Sequence, residues 1–117
     1  MLEHLTLKTF KEKVMDFETN KDWKFAGEIP AIIKFTASWC GPCKALTPIL
    51  LELSKEYDKR INIYEVDVDE ESELSSKFGI RSVPTMLFCP IDGTPTMTSG
   101  MQPKSTIIKT IDTLFNV

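Results

Sequence analysis

The chain has 117 residues, of which 42% are apolar and 26% charged, and its 14 basic and 17 acidic side chains leave a formal charge of −3. That is the size of one ordinary domain, residues 1–117, able to build a core without metals or a disulfide framework. A mildly acidic balance without a basic cluster argues against nucleic acid as a partner, and no apolar run approaches the ~20 residues a membrane span needs.

In chain order, Met1-Leu2-Glu3-His4 lacks the basic and apolar regions of a signal peptide, although a chain trimmed of one would look the same. Residues 1–7 read as a short edge strand without chemistry. Leu7, Phe10, Val14 and Phe17 recur at helical spacing and predict one face of a first helix. Residues 18–30 read as a long loop pinned by Trp23 and Phe25. Ala31–Thr36 is almost continuously apolar, as a central strand covered on both faces would be. Leu46, Ile49, Leu50, Leu53 and Tyr57 mark a second helix, and residues 61–68, rich in β-branched side chains, a second inner strand. Leu74 and Phe78 mark a short third helix, with Asp69, Glu70 and Glu71 suiting its N-terminus and Gly79 its stop. The charge run Glu70, Glu71 and Glu73 reads as a solvated helix start. Thr85–Cys89 and residues 94–99, separated by a turn at Asp92-Gly93, read as an antiparallel hairpin. Ile107, Ile108, Ile111, Leu114 and Phe115 face one side of a fourth helix that follows Pro103. This order predicts an α/β domain, a mixed sheet between layers of helices.

Three cysteines, Cys40, Cys43 and Cys89, do not read as a disulfide scaffold. A single histidine, His4, near the terminus disfavours Ser-His-Asp or Cys-His catalysis, which leaves thiols and carboxylates. The stretch Ala37-Ser38-Trp39-Cys40-Gly41-Pro42-Cys43-Lys44 lies where the apolar strand passes into the second helix. A thiol there meets unpaired N–H groups and the positive end of the helix, so Cys40 is expected to fall from ~8.5 toward ~7. An attacking thiol works best with a pKa near ambient pH. Cys43 follows one turn later, where neighbours stand ~5–6 Å apart, so the two sulfurs can close a ring with little backbone movement. Pro42 presets φ for the helix start and lacks an N–H that the first turn leaves unpaired anyway.

With Trp39-Cys40-Gly41-Pro42-Cys43-Lys44, Pro48 in the second helix, Asp67-Val68-Asp69, Phe78-Gly79-Ile80-Arg81-Ser82-Val83-Pro84-Thr85 and Gly100, the chain closely resembles the thioredoxin family over about its whole length. The resemblance implies the thioredoxin fold and a general dithiol–disulfide oxidoreductase that reduces disulfides of partner proteins. It implies that Cys40 attacks, that the more buried Cys43 resolves the mixed disulfide, and that Val83-Pro84 is a cis peptide beside the sulfurs. Val83 would pair its backbone with a substrate chain, Gly100 would let that chain approach, and Trp39, with Gly41 and Pro42, would form the docking rim. Also implied are re-reduction by a flavin- and NADPH-dependent thioredoxin reductase, no cofactor beyond the Cys40–Cys43 disulfide, and no metal. A cytoplasmic monomer without membrane attachment fits, although a mature periplasmic form would look alike. Gly-Pro between the cysteines resembles reducing members; an oxidant or isomerase role, or a non-catalytic binding subunit, are the alternatives.

Two charged positions depart from the family. A buried Asp usual six residues before the first Cys is here Lys34, and a Lys usual 25 residues after that Cys is here Glu65. A lone Lys in a covered strand is costly, so the exchange predicts a Lys34–Glu65 ion pair under the site. Glu65, directly or through a water, could then take the proton of Cys43, and Lys34 could stabilise the thiolate. The alternative has Lys34 snorkel to a sheet edge. Thr36 stands where the family often has an aromatic residue. Cys89 is expected in the core. A Cys₃His zinc set of Cys40, Cys43, Cys89 and His4 is disfavoured by its spacing. Met97 and Met101 flank Gly100 and read as packing, or as an enlargement of the docking surface.

Overall fold

A computed structural model describes residues 2–117; Met1 lies outside them. The chain runs β1 (Glu3–His4), α1 (Leu7–Lys13), β2 (Ala31–Thr36), α2 (Gly41–Glu56), β3 (Asn62–Asp67), α3 (Ser72–Lys77), β4 (Thr85–Cys89), β5 (Thr96–Ser99) and α4 (Lys104–Phe115). The sheet order is β1-β3-β2-β4-β5. β1, β3 and β2 are parallel, and β4 and β5 are added antiparallel. The class is the expected one, a mixed sheet between helical layers.

Alternation along the strands sorts the core into two halves. Ile32, Ile63, Met86 and Phe88 point to α2 and α4, where Leu46, Leu50, Leu53, Ile107, Ile111 and Phe115 meet them. Ile33, Phe35, Val66, Leu87 and Cys89 point the other way, against Phe10 of α1 and Leu74 of α3. Every residue of β2 is buried, as a strand at the middle of two layers must be. Cys89 lies in the α1/α3 half, and its burial pushes the thiol far above its usual range.

α1 stops earlier than its apolar spacing predicts. The helix ends at Lys13 with Val14 as cap, and Phe17 follows in a turn. The Asp16 side chain accepts the Glu18 N–H at 3.1 Å, and the Asp16 carbonyl takes the N–H and side-chain amide of Asn20. Such local bonds compete with the helix. Phe17 still reaches the core, at 6.3 Å from Phe10 and 6.2 Å from Phe78. Trp23, at 6.4 Å from Phe78, pins the long loop to the same group.

In the acidic run at the start of α3, Glu70 and Glu73 are exposed as a solvated helix start implies, whereas Glu71 is half-buried and engaged elsewhere. Glu71 caps α3 only through its backbone, while its carboxylate accepts the Leu7 N–H at 2.8 Å, at the positive end of α1. A second device at that end is a reciprocal pair: Thr6 Oγ1 accepts the Thr9 N–H and Thr9 Oγ1 accepts the Thr6 N–H. Gly79 ends α3 at φ +64°, as its position predicts.

Phe78 links α3 to Phe10, Phe17, Trp23 and Phe35. Phe78→Ala is expected to destabilise the protein by about 3 kcal/mol, the low end for a Phe deletion because the ring is only half-buried. Urea unfolding followed by Trp fluorescence measures it; a change within error would show that the cluster repacks.

Candidate active site at the start of the second helix

Where β2 ends, the chain turns through Ala37, whose carbonyl accepts the Cys40 N–H, and enters α2 with Cys40 as N-cap. Cys40 Sγ accepts the Cys43 N–H at 3.1 Å, one of the helix-end donors that lack a partner within the helix. The two cysteines form a disulfide with Cα atoms 5.3 Å apart. Cys40 is 4% exposed and Cys43 1%. Gly41 and Pro42 between them are exposed, so the approach to the sulfurs lies over small side chains.

Around this turn stand the rim residues. Trp39 is 69% exposed, yet its indole N–H donates to Asp69 Oδ2 at 2.8 Å. Asp67 Oδ1 in turn accepts the backbone N–H groups of Asp69 and Glu70. Trp39, Val68, Ile80, Arg81, Ser82 and Val83 line a groove of about 110 Å³. Val83 and Val68 pack against the cluster of Ala37, Cys40 and Cys43. The Val83–Pro84 peptide is cis. The Gly100 N–H donates to the Pro84 carbonyl at 2.8 Å, with Gly100 at φ +89°, a conformation few other residues adopt. Met97 and Met101 are each 42% exposed, so both present apolar surface beside Gly100.

Under the turn lies the expected ion pair. Lys34 and Glu65 are aligned across β2 and β3, and Lys34 Nζ donates to Glu65 Oε1 at 3.1 Å. Lys34 is 1% exposed and does not snorkel. Its ammonium also donates to Thr47 Oγ1 at 2.6 Å, and Thr47 Oγ1 donates to the Cys43 carbonyl at 3.2 Å. The pair is thus tied to the first turn of α2.

His4 departs from its reading as part of a segment without chemistry. β1 runs beside β3 with His4 opposite Glu65, and His4 Nε2 lies 2.7 Å from Glu65 Oε2. Sequence reasoning missed this partner, and Thr47 and Asp69 with it. The signal for His4 was its parity with Glu65, but only the β1–β3 pairing makes that visible. The Cys₃His set does not assemble. His4 is held at the β1 edge, Cys89 lies in the α1/α3 half, and no metal-holding cluster of His, Cys, Asp or Glu occurs among the described residues. Among those residues no helix is long and apolar enough to cross a membrane.

Comparison with known proteins agrees with this geometry. The family model described as Thioredoxin matches residues 2–113. A thioredoxin of Borreliella burgdorferi is 50% identical over 96 residues, covering 82% of both chains. Thioredoxin 1 of a Nostoc species is 32% identical over 108 residues, covering 92% of each. The crystal structure of chloroplastic thioredoxin z superposes with a TM-score of 0.82 at 25% identity, covering 97% of this chain and 93% of that one.

Two outcomes are expected. Glu65→Ala, which strands the buried Lys34 charge, should destabilise by about 3 kcal/mol, and Lys34→Met with Glu65→Leu should recover most of it. Chemical denaturation of the two variants and wild type tests this; equal losses in the single and double variants would mean that pairing is not what holds the charge. In the reduced native protein, iodoacetamide should label Cys40 and spare Cys89, whose raised pKa keeps it protonated and whose burial shields it, until denaturant is added. Peptide mass mapping reads the labelling.

Proposed function

The chain belongs to the thioredoxin family and is a dithiol–disulfide oxidoreductase that reduces protein disulfides, and we propose how its residues divide that work. Cys40, as thiolate, attacks one sulfur of a substrate disulfide. A mixed disulfide forms and the other substrate sulfur leaves as thiolate, which takes a proton from water. Cys43 gives its proton to Glu65 and attacks the Cys40 sulfur. The Cys40–Cys43 disulfide forms, the second substrate sulfur leaves, and two electrons have passed to the substrate.

The observation that carries this reading is Cys40 Sγ at the α2 N-cap, accepting the Cys43 N–H at 3.1 Å with Cys43 one turn behind it. Helix-end donors favour the thiolate at Cys40, and Cys43, at 1% exposure against 4% for Cys40, is the more enclosed of the two. The role of Glu65 as proton acceptor, and of Lys34 as the cation that steadies a thiolate nearby, is supported by the bonds that run through Thr47 to the Cys43 carbonyl.

Trp39, Gly41, Pro42, Val83, Pro84 and Gly100 are the docking residues of this proposal. Val83 offers its backbone to an extended substrate segment, and exposed Met97 and Met101 widen the apolar surface. Residues 1–117 act as a single thioredoxin domain and a monomer, with the disulfide as the only redox group. A flavin- and NADPH-dependent reductase returns the electrons, and the reducing cytoplasm is the compartment that suits this direction.

Insulin reduction by dithiothreitol tests the assignment. Cys40→Ser should abolish the catalysed rate, whereas Cys43→Ser should stall as a covalent adduct of the expected summed mass. An adduct on the Cys40→Ser protein would instead reverse the two roles.

A further inference from the structure

Three charged or polar side chains stand abreast on neighbouring strands: His4 on β1, Glu65 on β3 and Lys34 on β2. All three project from the α2 side of the sheet, because Lys34 reaches Thr47 of α2 and both Lys34 and His4 meet Glu65. Their side chains grade from 54% exposed at His4 through 11% at Glu65 to 1% at Lys34. The two carboxylate oxygens are divided, Oε1 to Lys34 and Oε2 to His4. The neighbouring charges are otherwise occupied, Glu3 of β1 and Lys13 of α1 being paired with each other.

A carboxylate that accepts the Cys43 proton must lose it before the next turnover. Glu65 has little contact with water, and Lys34, as an ammonium, offers a donor and no acceptor. Imidazole is both, and His4 is the group on Glu65 that also meets solvent.

We propose that His4 is a positioning residue for disulfide exchange: it holds Glu65 Oε2, leaves Oε1 to Lys34, and connects Glu65 with bulk water for proton release. This rests on Glu65 being the acceptor for Cys43. The step balances. The Cys43 S–H bond breaks and its proton goes to Glu65. Once Glu65 is protonated, neutral His4 passes from its Nε2–H to its Nδ1–H tautomer by proton exchange with water; Nε2 then accepts the proton from Oε2 while Nδ1 releases one to water, which restores the Nε2–H that holds Glu65. No electrons move in this part, and the Cys43 thiolate left behind attacks the Cys40 sulfur.

The test compares wild type, His4→Gln, Glu65→Gln and the double variant in rapid mixing of reduced protein with a disulfide peptide, which resolves attack by Cys40 from release by Cys43. Gln at position 4 keeps a donor for Glu65 but cannot carry a proton. A positioned acid or base contributes ~10²–10⁴-fold, so Glu65→Gln should slow release by at least ~10-fold and His4→Gln, which removes only the exit, by a further-reduced ~3- to 10-fold. His4→Gln should add nothing once Glu65 is Gln, leave the attack rate unchanged, and regain release in imidazole buffer. His4→Gln should melt as wild type does, and because Glu65→Gln strands the Lys34 charge and lowers its melting temperature, all rates are compared well below the lowest melting temperature of the set. Slow release in Glu65→Gln with wild-type release in His4→Gln would overturn the role of His4 alone. Wild-type release in Glu65→Gln would remove the acceptor reading and this inference together. Slow release in His4→Gln without imidazole rescue would reduce His4 to a structural contact and also overturn the proposal.

Discussion

A strand covered on both faces offers a charge no way out, and β2 carries one at its centre. Lys34 can be there only because β3 sets Glu65 opposite it. That pairing constrains much else. It requires β2 and β3 to be parallel and in one register, since a one-residue slip would turn Glu65 to the other face. It requires α2 to bring Thr47 over the ammonium, which places the first turn of α2, and hence Cys40 and Cys43, above the same point. The polar line and the redox pair are therefore parts of one arrangement, joined through backbone as well as side chains. An apolar pair at these positions could be as stable. What it could not provide is the proton acceptor we propose for the Cys43 thiol.

Much of this was legible from residues alone, for reasons that differ from element to element. Ala31–Thr36 was recognisable because burial on both faces erases alternation, and the hairpin because Asp92-Gly93 interrupts two strand-like runs. Cys40 and Cys43 could be read because helix-start chemistry depends on residues adjacent in sequence. The exchange of charges at 34 and 65 pointed to a pair because a lone charge in a central strand is so unfavourable. What escaped was non-local or conflicted. Apolar spacing through Phe17 looked helical, and the competing bonds of Asp16 were stronger. Glu71 resembled a solvated acid because nothing nearby in sequence shows that it reaches Leu7. His4 looked idle because its partner lies far along the chain.

The site also separates what is held from what is open. Below the disulfide every polar atom of the Lys34–Glu65–Thr47 group is engaged, in a core where an unpaired charge would be unfavourable. Above it, Gly41, Pro42, Trp39 and the methionines face solvent with few commitments. Tight specification beneath and permissive surface above suit a reagent whose chemistry is constant while its partners vary.

Trp39 is the exception to that permissiveness, and its tether bears on association. A bare indole on a surface would lose rotamer freedom whenever a partner covered it. Here the ring is already held by Asp69, whose loop is folded back on the Asp67 carboxylate at the end of β3. Most of the ordering has been done in folding, so encounter with a partner carries a smaller entropic penalty and the flat face is ready in one orientation. Short-lived complexes can then form quickly and still align sulfur with sulfur.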